Sequence, residues 1–162
     1  MGQNILIGIG NILFCDDGIG VKVVEYLKSN YRFEPDLELL DGGTLGFGLL
    51  EYFTQYERVF IVDTISIDDC AGEFYEIPSD ELLGGNPYKK TAHEVEVLQM
   101  LEVCELYDKK AEVVVLGIVP DDITSAKIGL SQILNEKFSD IIFKILLSLK
   151  RADIESFKLK EL

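Results

Sequence analysis

The chain lacks an apolar run long enough to cross a membrane. Its most apolar stretch, Ile141 to Leu149, is cut by Lys144, whereas a span needs roughly 18 or more apolar residues in a row. A basic leader followed by an apolar core and cleavage site is also missing, and Leu6 stands where a myristoylation signal carries Ser or Thr. A cytoplasmic protein with no membrane partner is therefore expected. Positive charge is scarce: 15 Lys and Arg face 29 Asp and Glu, a formal net charge of −14. Such a field repels phosphate backbones, so nucleic acid is not an expected partner, while cations and basic segments are attracted. Cys15, Cys70 and Cys104 are odd in number and form no Cys-x-x-Cys pair, which excludes a disulfide framework or thiolate zinc site.

Familiar catalytic signatures are missing too. Gly8-x-Gly10 has Leu13 where a dinucleotide fingerprint places its third glycine, and no Walker Gly-Lys-Ser/Thr follows. No Gly-x-Ser-x-Gly elbow exists, and Cys15 stands in no motif that ties it to His93, the single histidine. Cys15 is accordingly read as structural.

What is present is a chain of 162 residues, 48% of them hydrophobic, enough for one domain over residues 1–162 with a core that needs no disulfide. Asn4 to Gly10 is a continuous apolar run of the kind buried on both faces of a parallel sheet. Ile19, Val23, Tyr26 and Leu27 then recur at helical spacing to about Asn30. Leu37 to Leu40 reads as a second strand, Asp41 to Thr44 as a turn and cap, and Leu45, Leu49 and Phe53 as the buried stripe of a second helix. Arg58 to Asp63 is a third strand, Gly72 to Ile77 a shorter edge strand, and Ser79 to Lys90 an irregular loop. Thr91-x-x-Glu94 has the form of a capping box, predicting a helix from Ala92 through Val97, Leu98, Leu101 and Cys104. Glu112 to Ile118 is a fifth strand, ended by Pro120-Asp-Asp122. Ile133, Phe138, Ile141, Ile145 and Leu149 mark a closing helix, and Arg151 to Leu162 reads as a mixed-charge tail. The alternation predicts a three-layer α/β/α fold around a doubly wound, mostly parallel five-stranded sheet.

Ligands of such sheets bind beyond the carboxyl ends of the strands. There the sequence places Asp16 and Asp17, then Asp41, Gly42 and Gly43, then Asp63, while His93 opens a helix after the long loop. Imidazole with carboxylates suits nickel, zinc or manganese, and a helix N-terminus keeps His93 neutral and able to coordinate. Each residue also has a plainer role. Asp17 can be a first-turn acid, although Asp16 is the better candidate for that cap; Asp63 can close a turn; His93 can be a surface histidine; Asp41 to Gly43 can be a tight turn.

Five segments, in order, carry a resemblance: Gly8-Ile-Gly-Asn-Ile-Leu-Phe-Cys-Asp-Asp-Gly-Ile-Gly20, Asp41-Gly-Gly-Thr44, Ile61-Val-Asp63, Thr91-Ala-His93 and Gly117-Ile-Val-Pro120. From residue 4 to about residue 147 the chain resembles the hydrogenase maturation endopeptidases, aspartyl-type proteases that trim the C-terminal extension of the [NiFe]-hydrogenase large subunit. The resemblance implies that Asp17 (Asp or Glu among relatives), Asp63 and His93 are the nickel-binding and catalytic residues. It further implies that Asp41, Gly42 and Gly43 lie beside the substrate cleft. The nickel is implied to arrive in the precursor subunit, as a recognition signal rather than a resident cofactor. Two other readings of the same trio stay open: a hydrolase of small molecules with its own metal, and a nickel-binding protein that docks on the hydrogenase subunit without cutting it.

Overall fold

Six consecutive buried residues, Asn4–Ile9, form strand β1 in the interior of the sheet. The structure, a computed structural model, describes residues 3–83, 92–106 and 111–160, with the side chains of Phe47, Leu83 and residues 92–96 outside that description. β1 hydrogen-bonds in parallel to β3 (Leu37–Gly43) on one side and β4 (Arg58–Thr64) on the other. Beyond β4 lie β6 (Glu112–Ile118), also parallel, and the antiparallel edge strand β5 (Phe74–Pro78). The order β3-β1-β4-β6-β5 is the expected five-stranded, mostly parallel sheet.

Successive side chains of a strand point to opposite faces, and the core divides accordingly. Leu6, Phe60, Val62 and Leu116 face one cluster with Ile19, Val23 and Leu27 of helix α1 (Ile19–Asn30) and Leu134, Ile141, Ile145 and Leu149 of helix α5 (Gln132–Arg151). Ile5, Ile7, Val59, Ile61, Val113 and Val115 face the other, with Leu49, Phe53 of helix α2 (Leu50–Gln55), and Val97, Met100, Leu101 and Cys104 of helix α4 (Ala92–Leu106). These are the three layers. Ser131 caps α5, its hydroxyl accepting from the N–H of Leu134 at 3.4 Å, and Lys150 and Arg151 sit in the last turn, where cations suit the helix dipole.

Several expectations change. β3 continues through Gly43, because Asp41 and Gly43 still pair with Gly8 and Ile9 across a register shift. Leu45 is not part of a helix and is 61% exposed; a short 3-10 turn, Gly46–Leu49, intervenes before α2, so only Leu49 and Phe53 reach the core. Ser79–Leu83 is a short helix, α3, rather than irregular loop. The rest of that loop and Thr91, and hence the capping box, lie outside the described residues. The presumed tail contains β7 (Glu155–Lys158), which pairs antiparallel with β2 (Tyr31–Glu34) in a separate two-stranded sheet anchored by buried Phe33 and Ile154. Among the described residues no helix is long and apolar enough to cross a membrane.

Candidate active site

The chain leaves β1 toward β3 through α1, and leaves β4 toward β6 in the other direction. Between β1 and β4 these paths diverge, opening the crevice where doubly wound sheets hold their ligands. Glycines bring the chain close there. A Cβ on Gly20 would lie 2.3 Å from the Val62 carbonyl oxygen and 2.5 Å from that of Ile9, so α1 starts wedged against the carboxyl ends of both strands. A Cβ on Gly10, whose φ is +142°, would sit 1.8 Å from the carbonyl oxygen of Asp17. Asp17 is therefore seated on the end of β1, three residues before the Gly20 contact, and Asp63 follows the very residue that Gly20 touches.

Asp17 lies with Cys15, Asp16 and Gly18 in a 3-10 turn and is half-buried. It does not cap α1, whose N-cap Gly18 offers no side chain; one carboxylate oxygen of Asp17 accepts from the N–H of Asn11 at 3.0 Å. That bond fixes the start of the loop between β1 and the turn. Asp63 is buried, with 3% exposure, and accepts from the N–H of Thr64 at 2.7 Å. Asp41 is exposed and closes a turn by accepting from the N–H of Gly43 at 3.0 Å. Gly43 takes a φ of +47°, and a Cβ on Gly42 would meet the Ile7 side chain at 2.7 Å. Backbone geometry thus accounts for both glycines. Gly8 pairs with Asp41 on one side and Val62 on the other, which puts Asp41 and Asp63 on one rim, roughly 10 Å apart across two strand spacings.

His93 falls in the first turn of α4, and its side chain lies outside the described residues. The backbone nevertheless sets its level. The last turn of α4, with Cys104 and Glu105, lines a cleft with Ser79, Asp80 and Val113 at the amino end of β6. A helix of 15 residues spans about 22 Å, close to the about 23 Å of a seven-residue strand. The first turn of α4 consequently returns to the level of the carboxyl rim, and α4 packs against the 3-10 turn that follows β3. Among the described residues no three His, Cys, Asp or Glu side chains converge as a metal site, and the side chain of His93 is not among those described.

Asp16 behaves differently from its expected role as a cap. It is fully buried, and its carboxylate accepts from the N–H groups of Ser131 at 2.7 Å, Asp121 at 2.9 Å and Asp122 at 3.0 Å. It ties the loop after β6 to the turn that carries Asp17. The same loop is held from below: hydrogen bonds from the Ser125 hydroxyl and from the Ser125 and Thr124 N–H groups lower the Asp122 carboxyl to about 2. Beside it, Cys15 is buried at a φ of 50°, and burial first and the Asp16 charge second push its thiol up. A raised thiol is a poor nucleophile at neutral pH, in keeping with a structural Cys15.

A family model for hydrogenase maturation proteases matches residues 21–148. The chain belongs to the hydrogenase maturation protease family. It is therefore a peptidase, a hydrolase of hydrogenase maturation. It is 28% identical over 156 residues to the hydrogenase 2 maturation protease of Escherichia coli, covering 94% of this chain and 93% of that one. It is 33% identical over 132 residues to a putative hydrogenase maturation protease of Methanocaldococcus jannaschii, covering 79% and 84%. Among solved structures, the maturating endopeptidase HybD of E. coli superposes with a TM-score of 0.85 over 96% of this chain and 97% of that one, at 24% identity, a likeness of fold. The [NiFe] hydrogenase maturation protease HybD of Thermococcus kodakarensis gives 0.72 at 26% identity over 91% and 98%. The family match contains Asp41, Asp63 and His93 and begins just after Asp17. Family membership displaces the readings as a small-molecule hydrolase and as a docking protein that does not cut.

Proposed function

We propose that this maturation protease acts in the cytoplasm on the nickel-loaded precursor of a [NiFe]-hydrogenase large subunit and removes its C-terminal extension. Asp17, Asp63 and His93 capture the nickel that the precursor carries, and the captured metal fixes the scissile bond at the rim. Nickel enters as part of the substrate. The observation that supports this reading is the Gly20 contact with Ile9 and Val62, which brings Asp17 and Asp63 to the ends of adjacent strands at the divergence point of the sheet. Carboxylates and imidazole are ligands that nickel accepts. Holding the bond in place supplies much of the rate enhancement, and either the metal polarises the carbonyl or one carboxylate activates the attacking water. Asp41 and the Gly42-Gly43 turn receive substrate backbone at the side of the cleft.

The test mixes the protein with cognate precursor, with and without nickel, and reads the subunit mass. Shortening of the nickel-loaded precursor alone is expected; an unchanged mass for a verified, loaded precursor sinks the reading. Asp17→Asn keeps an oxygen to accept the Asn11 N–H while removing the charge. Processing should fall about 100-fold or more on loss of such a ligand, with an unchanged melting curve. His93→Ala should act in the same way, and retained processing in both variants would remove the trio from the mechanism.

A further inference from the structure

Three consecutive large apolar residues stand exposed immediately before the Asp17 turn: Ile12 at 47%, Leu13 at 53% and Phe14 at 39%. Ile128, 75% exposed, lies beside them on the loop after β6, and Leu45, 61% exposed, follows the β3 turn. Single apolar side chains on a surface need no explanation, but a contiguous set does. These loops are joined to one another. Phe14 and Lys127 form a parallel bridge, Lys127 donates its N–H to Leu13 O at 3.0 Å, and Cys15 donates to Lys127 O at 2.7 Å. On the other side Gly10 donates to Gly43 O at 2.9 Å, two residues before Leu45.

The apolar loop is also held rigid, by bonds that leave its side chains pointing outward. Asn11 N–H is fixed by Asp17, Leu13 N–H by the Asn11 side chain at 3.0 Å, and Phe14 N–H by Asn11 O at 3.1 Å. A collapsed loop would bury these side chains; this one presents them at little further ordering cost, the condition under which apolar contacts add most to affinity. Exposed Asp41, at the β3 turn, and exposed Asp121, on the loop after β6, lie on the loops that carry the patch, and the cation Lys127 stands between Phe14 and Ile128, in a chain whose net charge is −14.

We infer that Ile12, Leu13, Phe14, Leu45 and Ile128 form the docking surface for the folded body of the precursor: an apolar patch, ringed by basic residues, next to the nickel that the precursor carries. This rests on the proposed function, since the loop is bonded to Asp17 and whatever surrounds a metal seated on Asp17 must meet it. Acidic flanks and an apolar centre define the complement, an apolar centre with basic flanks. Docking binds the body of the subunit and leaves the scissile segment to the cleft beside Asp41.

Leu13→Ser with Ile128→Ser, and Ile128→Ser alone, are compared with the unaltered protein on the nickel-loaded cognate precursor. KM and kcat are read from processing, and Kd from direct binding. Phe143→Ser, at a 63% exposed apolar position on α5, serves as the control. The double variant should raise KM and Kd tenfold or more with kcat within twofold, the single variant should show a smaller rise of the same kind, and the control should match the unaltered protein. Unchanged KM and Kd in folded variants, or an equal rise in the control, would overturn the docking surface. Unaltered protein that binds the precursor without cutting it would overturn the proposed function instead, and Kd would still score the docking.

Discussion

Asp16 is the residue on which the local order of the site depends most. Its two oxygens satisfy three backbone N–H groups from one distant loop, in a position with no exposure. Such a carboxylate is tolerable only because its partners replace water. Asp16→Ala leaves the Ser131 N–H buried and unpaired and takes the acceptor from the partly buried N–H groups of Asp121 and Asp122, which together costs about 3 kcal/mol. Urea unfolding should show this as a lower midpoint with the slope retained, and an unfolding free energy within about 0.5 kcal/mol of the parent would refute it, being the scatter of an ordinary surface substitution. Asp17 is the neighbouring carboxylate with the opposite design. Half-buried and at the rim, it spends one oxygen on Asn11. The Asp-Asp doublet thus divides into one acid that is buried and ties down a distant loop and one that is half-buried on the turn at the end of β1. The sequence separates the two only by the resemblance, and the reading of Asp16 as a cap missed what Asp16 holds: its partners are more than 100 residues away, and only the fold supplies them.

At the scale of elements, the close seating of α1 on β1 and β4 is what holds the Asp17 turn against the carboxyl end of β1, beside the strand that ends in Asp63 and Thr64. Gly20→Ala puts a Cβ within 2.3 Å of Val62 O and 2.5 Å of Ile9 O, where the obstacles are backbone atoms that cannot rotate aside. Overpacking of this kind costs about 3 kcal/mol, and it lifts the start of α1, separating the two carboxylates. Denaturant titration should give the stability loss, and processing measured where the variant is still folded should fall more than the folded fraction does. A fall that merely tracks the folded fraction would mean that the helix start does not set the site. The longer helices and the central strands were legible for the same reason that the sheet is stable, whereas the five-residue α3 was not. Strands buried on both faces are continuous apolar runs, and α1 and α5 carry apolar residues at helical spacing. β2 and β7 were not legible, because four-residue strands with one strongly buried side chain between them carry no period, and their partners lie at opposite ends of the chain. Leu45 misled for a related reason. Its spacing from Leu49 and Phe53 is helical, yet positive φ values at Gly43 and Gly46 turn the backbone before a helix can form.

For the whole molecule, the separation of roles between charge and apolar surface gives a prediction that neither scale below provides. A net charge of −14 acts over a Debye length of about 8 Å at physiological salt, so it governs encounter with a basic partner, while apolar contact governs how long the partner stays. The association rate with the nickel-loaded precursor should fall about tenfold between low and physiological ionic strength, as expected of electrostatic steering. The dissociation rate should change little. For the Leu13→Ser, Ile128→Ser protein the pattern inverts: the salt dependence of association is retained, because no charge was altered, and dissociation is faster at every salt concentration. Stopped-flow binding resolves both rates. Association that ignores ionic strength in the unaltered protein would mean that the acidic field serves solubility alone, and the same loss of salt dependence confined to the variant would mean that the two surfaces act as one.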